Sequence, residues 1–282
     1  MNILAIGAHP DDIELGCGGT ILKAARQGHN VYMYVLTRGS ASGDPIQRCH
    51  ELMESAKYVG AKALWIDNFP DTKLVVANEL INHIEYFIRK SDAQVIFTHS
   101  GRDTHHDHRA IAESTIEAAR FSQNIFSYEI PVTKDFNPQV FYDISDVIDE
   151  KLKLIKLFWS QQSKLFTKAD AIKGLAQYRA LQSRLVKTVS SVESFEVLKM
   201  CFSKDFTLAK YPAEDLPKAV QSSVNLNDII EYQPSLPTLE NKMIESVHQD
   251  ATTPSMLTTN AAEGRTTTLE KRMDADPRVD MQ

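Results

Sequence analysis

Three cysteines, Cys17, Cys49 and Cys201, are all that this 282-residue chain carries, and no two stand in a C-x-x-C pair. An odd, scattered set fits three free thiols in a reducing compartment better than a disulfide framework. An excess of positive charge is also missing. Lys and Arg number 31 against 37 Asp and Glu, a formal charge of −6, so no global basic field favours nucleic acid or an anionic membrane. No apolar stretch approaches the roughly 20 residues needed to span a bilayer. Residues 1–8 are apolar but lack the basic start of a secretory signal and run straight into His9-Pro10-Asp11-Asp12. The cytoplasm is therefore the expected location. No G-x-S-x-G elbow occurs, and no cysteine has a catalytic partner nearby. The dinucleotide fingerprint is incomplete. Gly16-Cys17-Gly18-Gly19 opens a helix, but the third glycine position falls at Ile21, and the second apolar run ends Leu36-Thr37-Arg38 without a ribose-binding acid. These glycines read instead as room for close packing of a helix on a sheet.

What is present is an ordinary globular composition, 43% hydrophobic and 24% charged. Apolar runs at 2–7, 30–37, 63–66 and 94–98 read as strands, and residues 19–27, 47–59, 79–89 and 109–119 as helices. This β-α rhythm implies an α/β fold with a mostly parallel sheet and helices on both faces. Residues 128–132 and 140–144 are further strand candidates, and 145–162 and 169–185 are expected helices. Apolar density falls after about Pro217. The expected organisation is one domain over 1–216 and a C-terminal extension, 217–282, largely disordered or partner-binding.

Two patches carry the chemistry. His9-Pro10-Asp11-Asp12 follows the first strand, and the stretch His99 to His108 after the 94–98 run holds four of the nine histidines. Alone, the first patch is as well explained by a turn and the second by a solvated helix start. In open parallel sheets, however, ligands bind beyond the carboxyl ends of strands, and both patches stand at such ends. A catalytic zinc site takes about three His, Asp or Glu ligands and leaves one position open. His9 and Asp12 can face one ion if the chain turns into a helix after Pro10, with His108 as the third ligand. Carboxylate plus imidazole suits Zn²⁺, with Fe²⁺ or Co²⁺ as alternatives. Asp11 should point away from its neighbour and can serve as base. His105, one helical turn before His108, can sit across the site as a protonated imidazole that stabilises an oxyanion or protonates a departing amine. Asp107 or Asp103 can orient one of these histidines. His99 is ambiguous, bordering the pocket at most.

Ala8-His9-Pro10-Asp11-Asp12-Ile13-Glu14 with Gly16-Cys17-Gly18-Gly19-Thr20, paired with Asp103-x-His105-x-Asp107-His108-Arg109, resembles the PIG-L/LmbE family of zinc-dependent N-deacetylases over roughly residues 1–202. The resemblance implies a Rossmann-like fold and hydrolysis of the linear amide of an N-acetylated amino sugar, an N-acetylglucosamine-type conjugate, to acetate and a free amine. By position it implies His9, Asp12 and His108 as zinc ligands, Asp11 as general base and His105 as oxyanion stabiliser and acid. It adds Arg48, from Arg48-Cys49-His50-Glu51, and Asp71, from Phe69-Pro70-Asp71, as substrate-binding residues; Asp103 is grouped with them, and Asp107 with the orienting groups. It also suggests a homo-oligomer. One departure stands out: relatives carry Thr-x-Gly-Glu after the second strand, and this chain has Thr37-Arg38-Gly39-Ser40. Two alternatives remain beside the amino-sugar deacetylase: a hydrolase of another small amide, and a non-catalytic sugar- or nucleotide-binding module of the same fold.

Overall fold

The computed structural model describes residues 1–122, 124–184, 188–202, 208 and 218–234. Its centre is β1 (Asn2–Gly7), where every residue after Asn2 is buried. An unbroken apolar run is required there because both faces of the strand are covered. Ile3 and Ala5 point into one hydrophobic cluster with Ile13, Leu22 and Leu52, while Leu4 and Ile6 point into the other with Leu80, Phe87 and Ile111. In β2 (Asn30–Thr37), Val31, Met33 and Val35 face the first cluster, and Tyr32, Tyr34 and Leu36 the second.

Around this centre the chain places α1 (Asp12–Arg26), α2 (Pro45–Val59), β3 (Ala63–Phe69), α3 (Asn78–Lys90), β4 (Val95–Thr98), α4 (His106–Ala118), β5 (Ile125–Tyr128), β6 (Val140–Asp143), α5 (Ile148–Lys156), α6 (Ala169–Ser183), β7 (Val192–Lys199), α7 (Lys218–Ser223) and β8 (Ile230–Tyr232). The sheet order is β6-β7-β5-β4-β1-β2-β3-β8. Strands β5, β4, β1, β2 and β3 run parallel, whereas β6, β7 and β8 join antiparallel at the two edges. Pairing of Ala5 with Phe97 brings the ends of β1 and β4 side by side. From there α1 packs on one face and α4 on the other. The chain thus splits apart between β1 and β4, the kind of crevice in which open α/β sheets bind ligands.

Several elements depart from the sequence expectation. Helix α1 begins at Asp12 rather than residue 19 and is broken at Cys17 (φ −134°, ψ 20°). The peptide N–H groups of Gly19 and Thr20, beyond the break, are taken by Glu193 of β7 at 2.8 and 2.7 Å. Lys151 reaches the same carboxylate at 2.5 Å and so neutralises it. The glycines in this helix do permit close packing. A Cβ on Gly16 would lie 2.1 Å from the ring of Tyr128, and one on Gly19 2.9 Å from Ile144. The long helix expected over 145–162 is shorter, since Phe158 (φ −83°, ψ 62°) leaves helical geometry ahead of a 3₁₀ turn, Trp159–Gln161. The strand expected over 128–132 lies earlier, at Ile125–Tyr128. The proposed C-terminal extension starts with ordered chain: β8 pairs with β3 through Leu64 and Tyr232. The remainder of that extension, 235–282, lies outside the described residues.

Candidate metal centre and active site

The two patches meet. Asp11 occupies φ 118°, a left-handed conformation that costs a non-glycine residue about 1–3 kcal/mol. That backbone turn sends neighbouring carboxylates in different directions. Asp12 becomes the first residue of α1, and its Oδ2 accepts from the peptide N–H groups of Ala8 (3.1 Å) and His9 (2.7 Å). Asp11 turns instead toward the guanidinium of Arg48, 3.4 Å away.

Three donor atoms form an equilateral triangle. His9 Nδ1, Asp12 Oδ2 and His108 Nε2 are each 3.3 Å from the other two. A tetrahedral ion with bonds of about 2.0–2.1 Å holds its ligand atoms about 3.3 Å apart, so the triangle has the dimensions of one face of such a site. The mixed imidazole and carboxylate donors suit zinc and its divalent neighbours. Electrostatics agree, because this donor set attracts a cation of any kind. Burial opposes charge on His108, but Asp12 and Asp103 outweigh it and raise its pKa to about 9. His9 is likewise raised, burial being outweighed by Asp107, Asp12 and Asp71. Asp12 is driven well below the usual carboxylate range; burial resists this, and His108 and His99 overcome it.

The three donor residues are held from behind. His9 Nε2 is hydrogen-bonded to Asp107 Oδ2 at 3.2 Å and touches Asp71 Oδ1 at 3.0 Å. Asp107 is itself fixed by the peptide N–H groups of Thr72 (2.8 Å) and Leu74 (3.0 Å). His108 Nδ1 lies 3.1 Å from Asp103 Oδ1, an ionic contact whose angle falls short of a hydrogen bond. The other oxygen of Asp103 accepts from the Thr133 hydroxyl at 3.1 Å. His99 has no exposed surface, accepts from Ala8 N at 3.0 Å and stacks on His108 with ring centroids 4.0 Å apart. Burial and the neighbouring charge of His108 lower its pKa to about 4, which makes it a neutral platform. Sequence reasoning left His99 ambiguous, although its place as the first residue after β4 was the available signal.

Across the triangle, burial raises Asp11 to about 7, partly countered by Arg48 and reinforced by Asp12. His105 caps α4, its Nδ1 accepting from Asp107 N at 3.2 Å, which leaves Nε2 to carry the ring proton. Its ring centroid is 4.8 Å from that of His9 and 4.7 Å from that of His108. Burial and the charge of His108 lower its pKa, which favours the neutral ring.

Two of the three expected substrate-binding residues are committed elsewhere. Arg48 is 2% exposed; it donates to Pro10 O (2.5 Å), Gly39 O (3.0 Å) and Ser42 Oγ (2.6 Å). Asp103 is 3% exposed and spends its oxygens on His108, Thr133 and the peptide N–H of His105. Arg48 therefore braces the Asp11 turn, and Asp103 braces the ring of His108. Asp71 sits closer to the chemistry: His9 and Ala41 N hold it at a pKa of about 2 against the opposing effect of burial.

A family profile described as "PIG-L: GlcNAc-PI de-N-acetylase" matches residues 4–119. The chain is 37% identical over 152 residues to the "Uncharacterized deacetylase YaiS" of Escherichia coli (strain K12), covering 51% of this chain and 82% of that protein. It is 30% identical over 185 residues to the diacetylchitobiose deacetylase of Thermococcus kodakarensis, covering 56% of this chain and 69% of that one. The chain belongs to the PIG-L family. Its fold is shared with the N,N'-diacetylchitobiose deacetylase from Pyrococcus horikoshii, with a TM-score of 0.62 at 24% identity over 70% of this chain and 83% of that one. As a PIG-L protein it is a hydrolytic deacetylase. Both sequence patches fall within the matched segment; β7 and its Glu193 fall beyond it.

Proposed function

We propose that this chain is a zinc-dependent N-deacetylase that removes the acetyl group from an N-acetylated amino sugar. The observation that carries the reading is the triangle of His9, Asp12 and His108 donors with 3.3 Å edges. The names of its relatives, above all the diacetylchitobiose deacetylase, supply the amino-sugar class.

His9, Asp12 and His108 would hold the ion, which would supply polarisation of the acetamide carbonyl and easier deprotonation of a water beside it. Asp11, whose pKa burial raises toward neutrality, takes the proton from that water onto its carboxylate. Arg48 and the left-handed turn keep this base from collapsing onto Asp12. His105 presents a neutral Nε2–H to the carbonyl oxygen as negative charge builds there. The proton held by Asp11 then passes to the departing nitrogen, leaving acetate and a free amine. Asp71, with one oxygen against His9 and the other accepting from the peptide N–H of Ala41, holds that histidine together with Asp107. Cys17, Cys49 and Cys201 are free thiols, and among the described residues no helix is long and apolar enough to cross a membrane.

Acetate release from N-acetylglucosamine and N,N'-diacetylchitobiose, measured with metal analysis of the purified protein, tests the reading. Wild type should carry about one divalent ion and release acetate, and chelation should abolish release. A protein that binds no metal, or one whose turnover is indifferent to chelator, would sink it.

A further inference from the structure

His106 fills the open position between His105 and Asp107 in the second patch, and no step of the deacetylation uses it. It is the first residue of α4, with 52% of its side chain exposed. Exposure alone would predict a ring loose in solvent. Instead its Nε2 lies 2.7 Å from the carbonyl oxygen of Thr72, in the turn that joins β3 to α3. A carbonyl can only accept, so Nε2 carries the ring proton and donates. The ring also stacks on His105, with centroids 4.9 Å apart and planes 14° from parallel.

The residue it grips is strained. Thr72 has φ 64°, a left-handed conformation that costs a β-branched residue about 1–3 kcal/mol. Such strain persists only where the surroundings over-determine the backbone. Here two consecutive residues of α4 supply the hold. His106 donates to Thr72 O, while Asp107 accepts from Thr72 N at 2.8 Å and from Leu74 N at 3.0 Å. Within the turn, Lys73 N closes on Pro70 O at a longer 3.2 Å.

The reversal at Thr72 decides where its neighbour points. Asp71 faces inward, one oxygen 3.0 Å from His9 Nε2 and the other accepting from Ala41 N at 2.7 Å. Asp107 meets the same nitrogen of His9 from the α4 side at 3.2 Å. Both carboxylates that orient His9 are therefore set by how the 70–74 turn lies on α4. His106 closes that contact at its solvent edge.

We propose that His106 is a positioning residue, a latch that fastens the β3–α3 turn to α4 and, through Asp71 and Asp107, fixes the ring of His9. The inference rests on the deacetylase reading, in which His9 is a metal ligand, but its first measurement needs neither metal nor substrate. Three substitutions separate the donor from the ring. His106→Gln keeps an N–H donor and loses the stack, His106→Phe keeps a stacking ring and loses the donor, and His106→Ala loses both. In metal-free protein, hydrogen exchange at the amides of Thr72 and Leu74 should quicken about three- to tenfold in His106→Phe and His106→Ala, the worth of one hydrogen bond. Amides of β1 should keep their wild-type rates, which a general loss of stability would not allow.

Zinc affinity, from competition with a chelator, should fall about tenfold in the same two variants, the lower bound for loss of an outer-shell partner. His106→Gln should stay within about twofold of wild type in both measurements. Excess zinc should restore most of the acetate release of His106→Phe, since the reacting groups themselves are untouched. Wild-type exchange at Thr72 and Leu74 in His106→Ala, losses in His106→Gln as large as in His106→Ala, or unchanged zinc affinity in His106→Phe would overturn the latch. Absence of acetate from every N-acetyl sugar with zinc-loaded wild type would count against the deacetylase reading, while quickened exchange at these two amides with weaker zinc binding would still support the latch.

Discussion

Asp103 and His108 stand 3.1 Å apart across the base of the metal centre, and the carboxylate is pinned from its other side by Thr133. A ligand histidine is oriented by whatever holds its second nitrogen, and loss of such a partner typically costs 10- to 100-fold in metal affinity. Asp103→Asn should weaken metal binding by roughly that factor. Thr133→Val, which removes only the hydroxyl behind Asp103, should weaken it less, and Thr133→Ser should restore it. Competition against a chromogenic chelator measures all three; unchanged affinity in Asp103→Asn would remove the orienting role.

Asp11 invites a comparison of two truncations. Alanine normally stabilises a chain relative to glycine, but at φ 118° the order should reverse. Asp11→Gly should be more stable than Asp11→Ala by about 1 kcal/mol, read from denaturant midpoints. Both variants should retain metal and lose most turnover. A more stable alanine variant would mean that the strain at this position is not real.

The donors' affinity for protons sets a pH dependence. His108, raised to about 9, carries a proton at neutrality when no metal is bound. Its folded-state pKa lies above the ordinary value, so the stability this proton gives is complete below about 6.5 and lost as pH rises through about 9. Metal binding must expel that proton, so apparent affinity should rise with pH across the same window. The gap in melting temperature between loaded and chelated protein should therefore widen from pH 6.5 toward 9. Calorimetry of metal binding in buffers of different ionisation enthalpy should register proton release near pH 7. A gap that narrows over this range would contradict the assignment of His108 as ligand.

Packing at the glycine-rich helix makes a structural prediction. Gly16→Ala would place a methyl 2.1 Å from the Tyr128 ring, whose hydroxyl donates to Ile6 O at 2.8 Å at the foot of the site. The ring has to move and its buried hydrogen bond with it, for a loss of about 1–3 kcal/mol in unfolding free energy. Gly28, with nothing within 4 Å of its Cβ position but φ 80°, should suffer from alanine through backbone strain alone. Denaturant titration distinguishes the two only if Gly16→Ala also shifts the near-ultraviolet signal of Tyr128.

Much of this centre was legible in the chain because it is local. Strands β1 and β2 agree with the apolar runs at both ends, since strands covered on two faces need uninterrupted hydrophobic sequence. His9, Asp12 and His108 come from two dense patches at strand ends, so topology alone brought them to one rim. What sequence could not supply were contacts made at long range. The start of α1 at Asp12 was hidden by glycines that serve packing against Tyr128 and Ile144. Strand β8 is three residues long and owes its conformation to pairing with β3, leaving no periodicity to detect. Arg48 and Asp103 look like surface charges ready for substrate, and only their burial and contacts show that they brace Asp11 and His108.

The broken first helix has a practical consequence for anyone trimming this protein. Its second half is capped by a glutamate 173 and 174 positions downstream of the two residues it serves, with a lysine from a third element closing the charge. The motif-bearing segment 4–119 contains every proposed ligand yet lacks that cap. Expressed alone, it would present two unmet amide groups and a bare glycine surface where the distal strand belongs. A fragment cut at the edge of the recognisable motifs should therefore be less stable than the full sheet, because it loses the partner of Gly19 and Thr20.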